Sequence, residues 1–295
     1  MQVYILRNGV TTYLSESTPL EVVHIDKLGA SAATRITERS PGQDGDSDID
    51  NRLEPRTIPM IIQARIIPGW TYKQLRALLN ERFRATNIPI ALGFIFDDGS
   101  TYQIDTQSVG DLDLPISLEN TLIIKVPVIL RAANPTFYDP LTTTVNFQLS
   151  ASGGAFFVPS FVPTFFGGST LDQTIVLTYD GTYPDFPLLT VYGPITNFKI
   201  VNDSTGAKLD LTGYSIASGD YYTFDLRYGR KLVYKNGVTS DNRINEVTSD
   251  SQLATFNIEA DPTVSGGLNQ YHVTGTAATG LTKAVLQYHR RFDGI

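Results

Sequence analysis

The stretch Tyr179-Asp180-Gly181-Thr182-Tyr183-Pro184, running on to Gly193-Pro194, Asn197 and Asn202, decides how this chain is to be read. It spells a turn, a strand, a second turn and another strand, and none of its side chains is placed for catalysis. Asp180-Gly181 is expected to supply the positive φ of a tight turn, and Pro184 and Pro187 stiffen the extended segment that follows. Short strands then recur near 174–177, 188–192, 198–201, 208–211, 221–225, 231–234, 253–258, 270–273 and 284–288. Ser204-Thr205-Gly206, Ser218-Gly219-Asp220, Asn236-Gly237 and Ser265-Gly266-Gly267 punctuate them. Strands at such regular spacing indicate a sandwich or jelly roll.

Upstream, only 71–84 reads as a helix. Thr71 serves as N-cap, and Gln74, three residues on, completes a capping box. Trp70 and Leu75 are placed as a hydrophobic staple. Leu75, Leu78, Leu79 and Phe83 make one apolar face, with Lys73, Arg76 and Arg82 expected off it. The remainder alternates or runs apolar over strand lengths at 20–25, 58–67 and 90–96. Asp98-Gly99 turns the chain back into 101–104 as a hairpin. A long strand is expected at 121–130, where Pro127 marks an edge or a bulge. Strands, one helix, then strands describe a sheet sandwich with a helix packed on it.

Two stretches interrupt the pattern. Residues 34–55 are polar, rich in Gly, Asp, Glu and Arg, and without periodicity. Loops this long inside compact domains are usually functional or disordered. The stretch is therefore either a mobile surface loop or an arm that orders on a neighbouring subunit. In the second case Arg35, Arg39, Arg52 and Arg56 pair with acids there, and Asp44, Asp46 and Asp48 belong to the same contact. Residues 150–170 hold Phe156, Phe157, Phe161, Phe165 and Phe166 among Gly and Pro, too broken for a helix. Five such rings do not stay together in water, so they tuck against their own domain or dock a partner.

Composition narrows the class. Apolar residues at 41% and charged residues at 18% are ordinary for globular chains, and no apolar run approaches the ~20 residues that span a bilayer. The start, Met1-Gln2-Val3-Tyr4, lacks the basic and apolar pattern of a secretory signal. With no cysteine there is no disulfide framework, thiolate nucleophile or cysteine zinc site. A formal charge of −7 argues against a nucleic-acid-binding surface, although DNA could pass an acidic wall without sticking. His24, His272 and His289 are not at metal-ligand spacing, and His24 reads as a strand residue. Asp44, Asp46, Asp48 and Asp50 imitate the start of a calcium loop. Pro55, however, stands where its closing glutamate belongs. No catalytic, cofactor or metal residue is therefore assigned. For sugar recognition, which stacks a ring on the sugar beside polar groups, Tyr221, Tyr222, Tyr228 and Tyr234 are the candidates.

Several of these segments, in order, resemble distal tail proteins, the tail-tip hubs of long, non-contractile-tailed bacteriophages. The first half matches in Pro41-Gly42-Gln43-Asp44-Gly45, the strand opening with Arg56, the capped helix, the Asp-Gly hairpin and Ala133-Asn134-Pro135-Thr136-Phe137-Tyr138-Asp139-Pro140. The second half matches from Tyr179 through Gly193-Pro194, Asn202, Gly206 and Gly219-Asp220 to Asp225, and again in Tyr288-His289-Arg290-Arg291-Phe292-Asp293-Gly294-Ile295. Each is weak alone, and their shared order makes the match specific. The resemblance implies an N-terminal β-sandwich or split barrel with one packed helix over 1–140. A Phe-rich linker or docking segment over 141–172 follows, then a jelly roll like galectins or carbohydrate-binding modules over 173–295. It also implies a non-enzymatic structural virion protein of the tail tip, assembled in the host cytoplasm. Its partners would be itself, in a ring that is commonly a hexamer, the tail tube protein, the tail-associated tip protein and receptor-binding or other baseplate proteins, without membrane insertion. The alternative is a glycan-binding host-adhesion module acting through the C-terminal domain. The Phe-rich segment departs from a minimal member of that family.

Overall fold

The computed structural model describes residues 1–112, 114, 123–148 and 170–295. The chain is mainly β and divides into two compact units, Met1–Pro140 with Phe292–Ile295, and Leu141–Arg291. The five phenylalanines at 156–166 fall outside the described residues.

The first unit runs β1 (Gln2–Arg7), β2 (Val10–Tyr13), β3 (Leu20–Ile25), β4 (Ala33–Glu38), β5 (Ser47–Leu53), β6 (Arg56–Arg65), α1 (Tyr72–Phe83), β7 (Ile90–Ile95), β8 (Thr101–Ser108), β9 (Ile123–Ala132) and β10 (Phe137–Tyr138). Its main antiparallel order is β2-β1-β7-β8-β9-β6-β3. β8 joins the two halves: Thr101 to Thr106 pair with β7, whereas Gln107 and Ser108 pair with β9. The β6–β9 pair shows how alternation writes the fold. Ile58, Met60, Ile62 and Ala64 are buried opposite Leu130, Val128, Val126 and Ile124, so the register puts every apolar partner on the core side. Pro127 sits opposite Ile61 with no register shift, at a point where β9 has a strand on one side only among the described residues. There a missing N–H breaks no ladder.

Helix α1 is bounded by the expected chemistry. Thr71 Oγ1 accepts the Gln74 N–H, and the Gln74 side chain accepts the Thr71 N–H at 2.8 Å. Leu75, Leu79 and Phe83 enter the same core as the strands. Arg82, expected off the apolar face, is instead buried, and its carbonyl accepts from the buried Arg7 Nη1 at 2.7 Å. Thr71→Ala is expected to cost about 1 kcal/mol, read as a lower urea midpoint with an unchanged slope.

Two hairpins are additional to the sequence assignments. β1 and β2 turn at Asn8-Gly9, with φ of 52° and 72°, the double positive that a two-residue hairpin turn needs. β4 and β5 form a separate two-stranded sheet largely within the polar stretch 34–55, whose sequence has no strand periodicity.

The second unit contains β11 (Thr143–Gln148), β12 (Leu171–Thr178), β13 (Leu188–Tyr192), β14 (Ile195–Asn202), β15 (Lys208–Asp210), β16 (Ser215–Ile216), β17 (Tyr221–Asp225), β18 (Leu232–Lys235), β19 (Val238–Asn242), β20 (Leu268–Thr276) and β21 (Lys283–Tyr288). One antiparallel sheet is ordered β11-β21-β13-β17-β18-β19, the other β12-β20-β14-β15 with β16 beside β14. Both contribute to one core, including Leu189, Val191, Phe198, Ile200, Phe224 and Tyr271, which makes the unit a β-sandwich. The expected strand at 253–258 is absent. Phe256 N–H bonds back to Gln252 C=O in a turn, and the buried Ile258 makes only an isolated bridge to Asp185.

The stretch at 179–202 acts through packing. Gly181 does not have the positive φ expected of it. A Cβ there would lie 2.5 Å from the Tyr179 hydroxyl oxygen, so glycine is required by close approach. Tyr179 is buried, donates from its hydroxyl to Tyr183 C=O at 2.8 Å and accepts the Arg291 N–H at 2.8 Å. Asn197 takes the positive φ, at 54°, and accepts from Gly213 N–H. Asn202 is fully buried, donating to Asn257 C=O and Asn269 Oδ1 while accepting from Ser204 N–H.

Candidate functional site

The β4–β5 hairpin stands apart from the core of its unit. No residue between Ala33 and Leu53 is buried, and only Ile36, Gln43 and Leu53 are half-buried. None of them belongs to the core of the first unit. An isolated two-stranded hairpin is marginal in water, because it has no apolar face to bury. Its internal ties are polar: Arg35 Nη1 meets Asp48 Oδ2 at 2.7 Å, and Arg39 Nε donates to Gln43 C=O at 3.2 Å. Asp44 and Asp46 lie in the connecting turn, and Asp50 and Arg52 on β5. Acids outnumber cations in the hairpin, so its net charge is negative.

Arg56 does not belong with that arm. It is 5% exposed, at the start of β6, and burial lowers its pKa while the nearby Asp293 charge raises it. Its Nε donates to Pro135 C=O at 2.9 Å and its Nη1 to Lys27 C=O at 2.7 Å and to Gly29 C=O. Nη2 donates to Ser31 Oγ at 2.6 Å and to Asp293 C=O, and the guanidinium lies 4.8 Å from the Phe137 ring centre. Five oxygens from three chain segments, at 27–31, 135 and 293, converge on one side chain. Its charge suggested a surface contact, but these acceptors make it an internal staple.

Among the described residues no three metal-ligating side chains converge. His24 Nε2 and Asp26 Oδ2 form an exposed pair at 2.9 Å, and His272 Nε2 and Asp172 Oδ1 another at 2.6 Å.

Of the four candidate sugar-stacking tyrosines, Tyr222 is excluded. It is buried in the core, its hydroxyl donating to Glu246 Oε2 at 2.6 Å, and burial with the nearby carboxylate pushes the phenol well up. Tyr228 is 63% exposed, in the turn after β17. Tyr221 lies on the outer face of the six-stranded sheet against a partner the sequence did not single out: Tyr192, its cross-strand neighbour, with ring centres 5.2 Å apart. Tyr234 pairs with Thr223 on that face. At the sheet's other end a cleft of about 140 Å³ is lined by Phe186, Leu188, Arg227 and Gln287 among others. Arg227 is held by Asp225 through Nε at 2.8 Å and Nη2 at 2.7 Å. Burial alone would raise the Asp225 carboxyl, but the bonds and charge of Arg227, with Arg230, hold it below its ordinary range. Lys231 Nζ lies 3.7 Å from the centre of the Phe186 ring, and burial lowers its pKa to about 8.

In fold, the chain resembles solved phage adsorption-hub and baseplate proteins. It superposes on the SPP1 Dit (gp 19.1) protein, described as a paradigm of the hub adsorption apparatus in Gram-positive infecting phages. The TM-score is 0.61 at 12% identity, over 98% of this chain and 99% of that one. A chain of the phage P2 baseplate in its activated conformation with calcium gives 0.52 at 11% identity, covering 100% and 99%. The strontium form of the phage p2 baseplate gives 0.51 at 12% identity, also covering 100% and 99%. No protein-family model matches the sequence, and no curated protein matches it. At these identities the correspondence is one of fold.

Proposed function

We propose that this protein is a structural, non-enzymatic hub of a long, non-contractile bacteriophage tail. In this role it forms a hexameric ring between the tail tube and the tail-tip or receptor-binding apparatus. The observation that carries the reading is the full-length correspondence with the SPP1 hub protein, which includes both units. It would be assembled in the host cytoplasm and reside at the virion tail tip, with tube, tip and baseplate proteins as partners.

The first unit is the ring-forming part in this reading. Its sheet ends in β2 on one side and β3 on the other, each with one strand neighbour among the described residues. Open edges of this kind accept another chain. The β4–β5 hairpin, lacking a core of its own, acts as the arm that orders on a neighbouring copy. Arg35 and Arg39 are already engaged within the hairpin. The contact therefore rests on the surplus carboxylates of Asp44, Asp46 and Asp50, which call for a basic acceptor, with Arg52 beside them. A ring gains from repetition of one heterologous interface that closes on itself.

Light scattering on the purified protein tests this reading. A species six times the 32.4 kDa chain mass is expected. A strict monomer at high concentration, with no ring on negative-stain images in the presence of tube protein, would sink it. Excising Ala33–Leu53 tests the arm. Glu54 N and Ala32 O already lie 2.8 Å apart, so the ends can be joined without disturbing the large sheet. The shortened chain should keep its melting temperature and lose ring mass, whereas unchanged assembly would remove the arm from the interface.

A further inference from the structure

We infer that the cleft beside Arg227 and Gln287 in the second unit is an anchor site for a carboxylate side chain of a partner protein. The cleft, about 140 Å³, is walled from three directions. β13 and the segment leading into it supply Leu188 and Phe186, and the turn after β17 supplies Arg227. β21 and the residue that follows it supply Gln287 and His289. Register explains the meeting, because Leu188 lies opposite Asp225 on one side and Gln287 on the other. Charge then favours an anion. Asp225 and Asp185 are buried beside the cleft, and both are already engaged by cations. Asp225 holds Arg227 through Nε and Nη2 and meets Arg230 Nη1 at 3.3 Å. Asp185 accepts from Arg291 Nε and, at 2.9 Å, from the His289 N–H. Lys231 adds its ammonium against the Phe186 ring, within the field of the same two carboxylates. Four cations, Arg227, Arg230, Lys231 and Arg291, therefore stand against two carboxylates, on a chain whose formal charge is −7. A concave surface with such a surplus concentrates positive potential.

Arg227 is the group prepared to receive the ligand. Asp225 fixes the guanidinium by its Nε–Nη2 edge, while Nη1 has no partner among the described residues. The edge between Nη1 and Nη2 is left for a second pair of oxygens. The half-buried Gln287 amide is likewise without a partner among the described residues and lines the same cleft. A planar carboxylate matches a guanidinium fork of this kind, and Phe186 and Leu188 offer apolar surface to its methylenes. Size limits what enters, since the volume is below the roughly 300 Å³ at which pockets for whole small molecules begin. The head of an Asp or Glu side chain fits that limit, and the rest of the binding energy must come from surface around the cleft. Leu141 and Tyr228, chain neighbours of the cleft residues Thr142 and Arg227, are 75% and 63% exposed. An arginine and a tyrosine together are the residue types that dominate protein interfaces energetically, and an exposed leucine beside them extends the apolar contact. The inference uses residues of the second unit alone, so it stands or falls independently of the ring.

The test uses the full chain, fluorescently labelled, on an array of peptides that each carry one Asp or Glu among apolar residues, printed beside their Asn or Gln counterparts. The best acidic peptides are expected to bind with Kd below about 1 mM. Their amide counterparts should bind roughly tenfold more weakly or worse. Glutarate in solution should displace the acidic peptides more effectively than inorganic phosphate. Arg227→Lys, which keeps the charge and loses the fork, should weaken binding by a similar factor. Gln287→Glu sets a carboxylate of the chain itself beside Arg227 and should also block the site. It removes no internal bond, so it remains informative if Arg227→Lys disturbs Asp225. Absence of binding to every acidic peptide overturns the proposal, as does equal binding of acidic and amide peptides. Binding that Gln287→Glu leaves intact, or that phosphate displaces better than glutarate, overturns it as well.

Discussion

Arg56→Ala is expected to cost the first unit about 3–5 kcal/mol, the range for removing one partner from a buried charged network. The guanidinium is the common donor to Lys27, Gly29, Pro135 and Asp293 carbonyls and to Ser31 Oγ. Without it those oxygens are left facing a void over Phe137, and buried acceptors without donors are costly. Arg56→Lys should recover little, because a single ammonium cannot reach acceptors spread across a planar fork. Differential scanning calorimetry is the measurement. The transition of the first unit should fall on the order of 10 °C while that of the second stays in place. A loss below about 1 kcal/mol would show that the network is dispensable.

The second large effect lies in the other unit. Gly267 has φ of 63°, and a Cβ there would stand 1.9 Å from Tyr179 C=O, a backbone atom tied in turn by Tyr179 N–H to Gly267 C=O at 2.8 Å. Neither side can yield without breaking that bond. Gly267→Ala is expected to cost roughly 3 kcal/mol or more, combining left-handed strain with overpacking. Its neighbour Gly266 is the internal control, with nearly the same φ, 62°, and open space around its would-be Cβ. Gly266→Ala should therefore carry only the conformational part, about 1–2 kcal/mol. Equal losses at the two positions would refute the steric account.

What the sequence disclosed depended on burial. α1 was legible because its cap, Thr71 with Gln74, and its apolar positions are local signals. β13 and β17 were legible because one face of each meets a core, which imposes apolar residues at alternate positions. β4 and β5 gave no such signal because neither face is buried, so nothing selects a period. Asn8-Gly9 is a turn pair readable in the sequence, but β2 beyond it buries no residue and so carries no alternation to mark it as a strand. Arg56 misled for a different reason. A lone Arg beside polar residues reads as surface, and only chain segments far away in sequence supply the oxygens that bury it. The Tyr192–Tyr221 pair was hidden because register between two strands made it, and no single strand carries that information.

The return of residues 292–295 to the first unit has a consequence for how the chain is made. Phe292 packs edge-on against Tyr102 at 5.0 Å, and Ile295 N–H bonds to Leu28 C=O at 3.0 Å, while Asp293 completes the acceptors of Arg56. During synthesis, residues 1–140 therefore emerge lacking part of their own core. They wait roughly 8–30 s at ordinary elongation rates while the inserted second unit is translated. A chain interrupted anywhere within that insertion never delivers the missing piece. Completion of the second unit is thereby made a precondition for a finished first unit, and incomplete products are left as poor competitors for a place in any assembly.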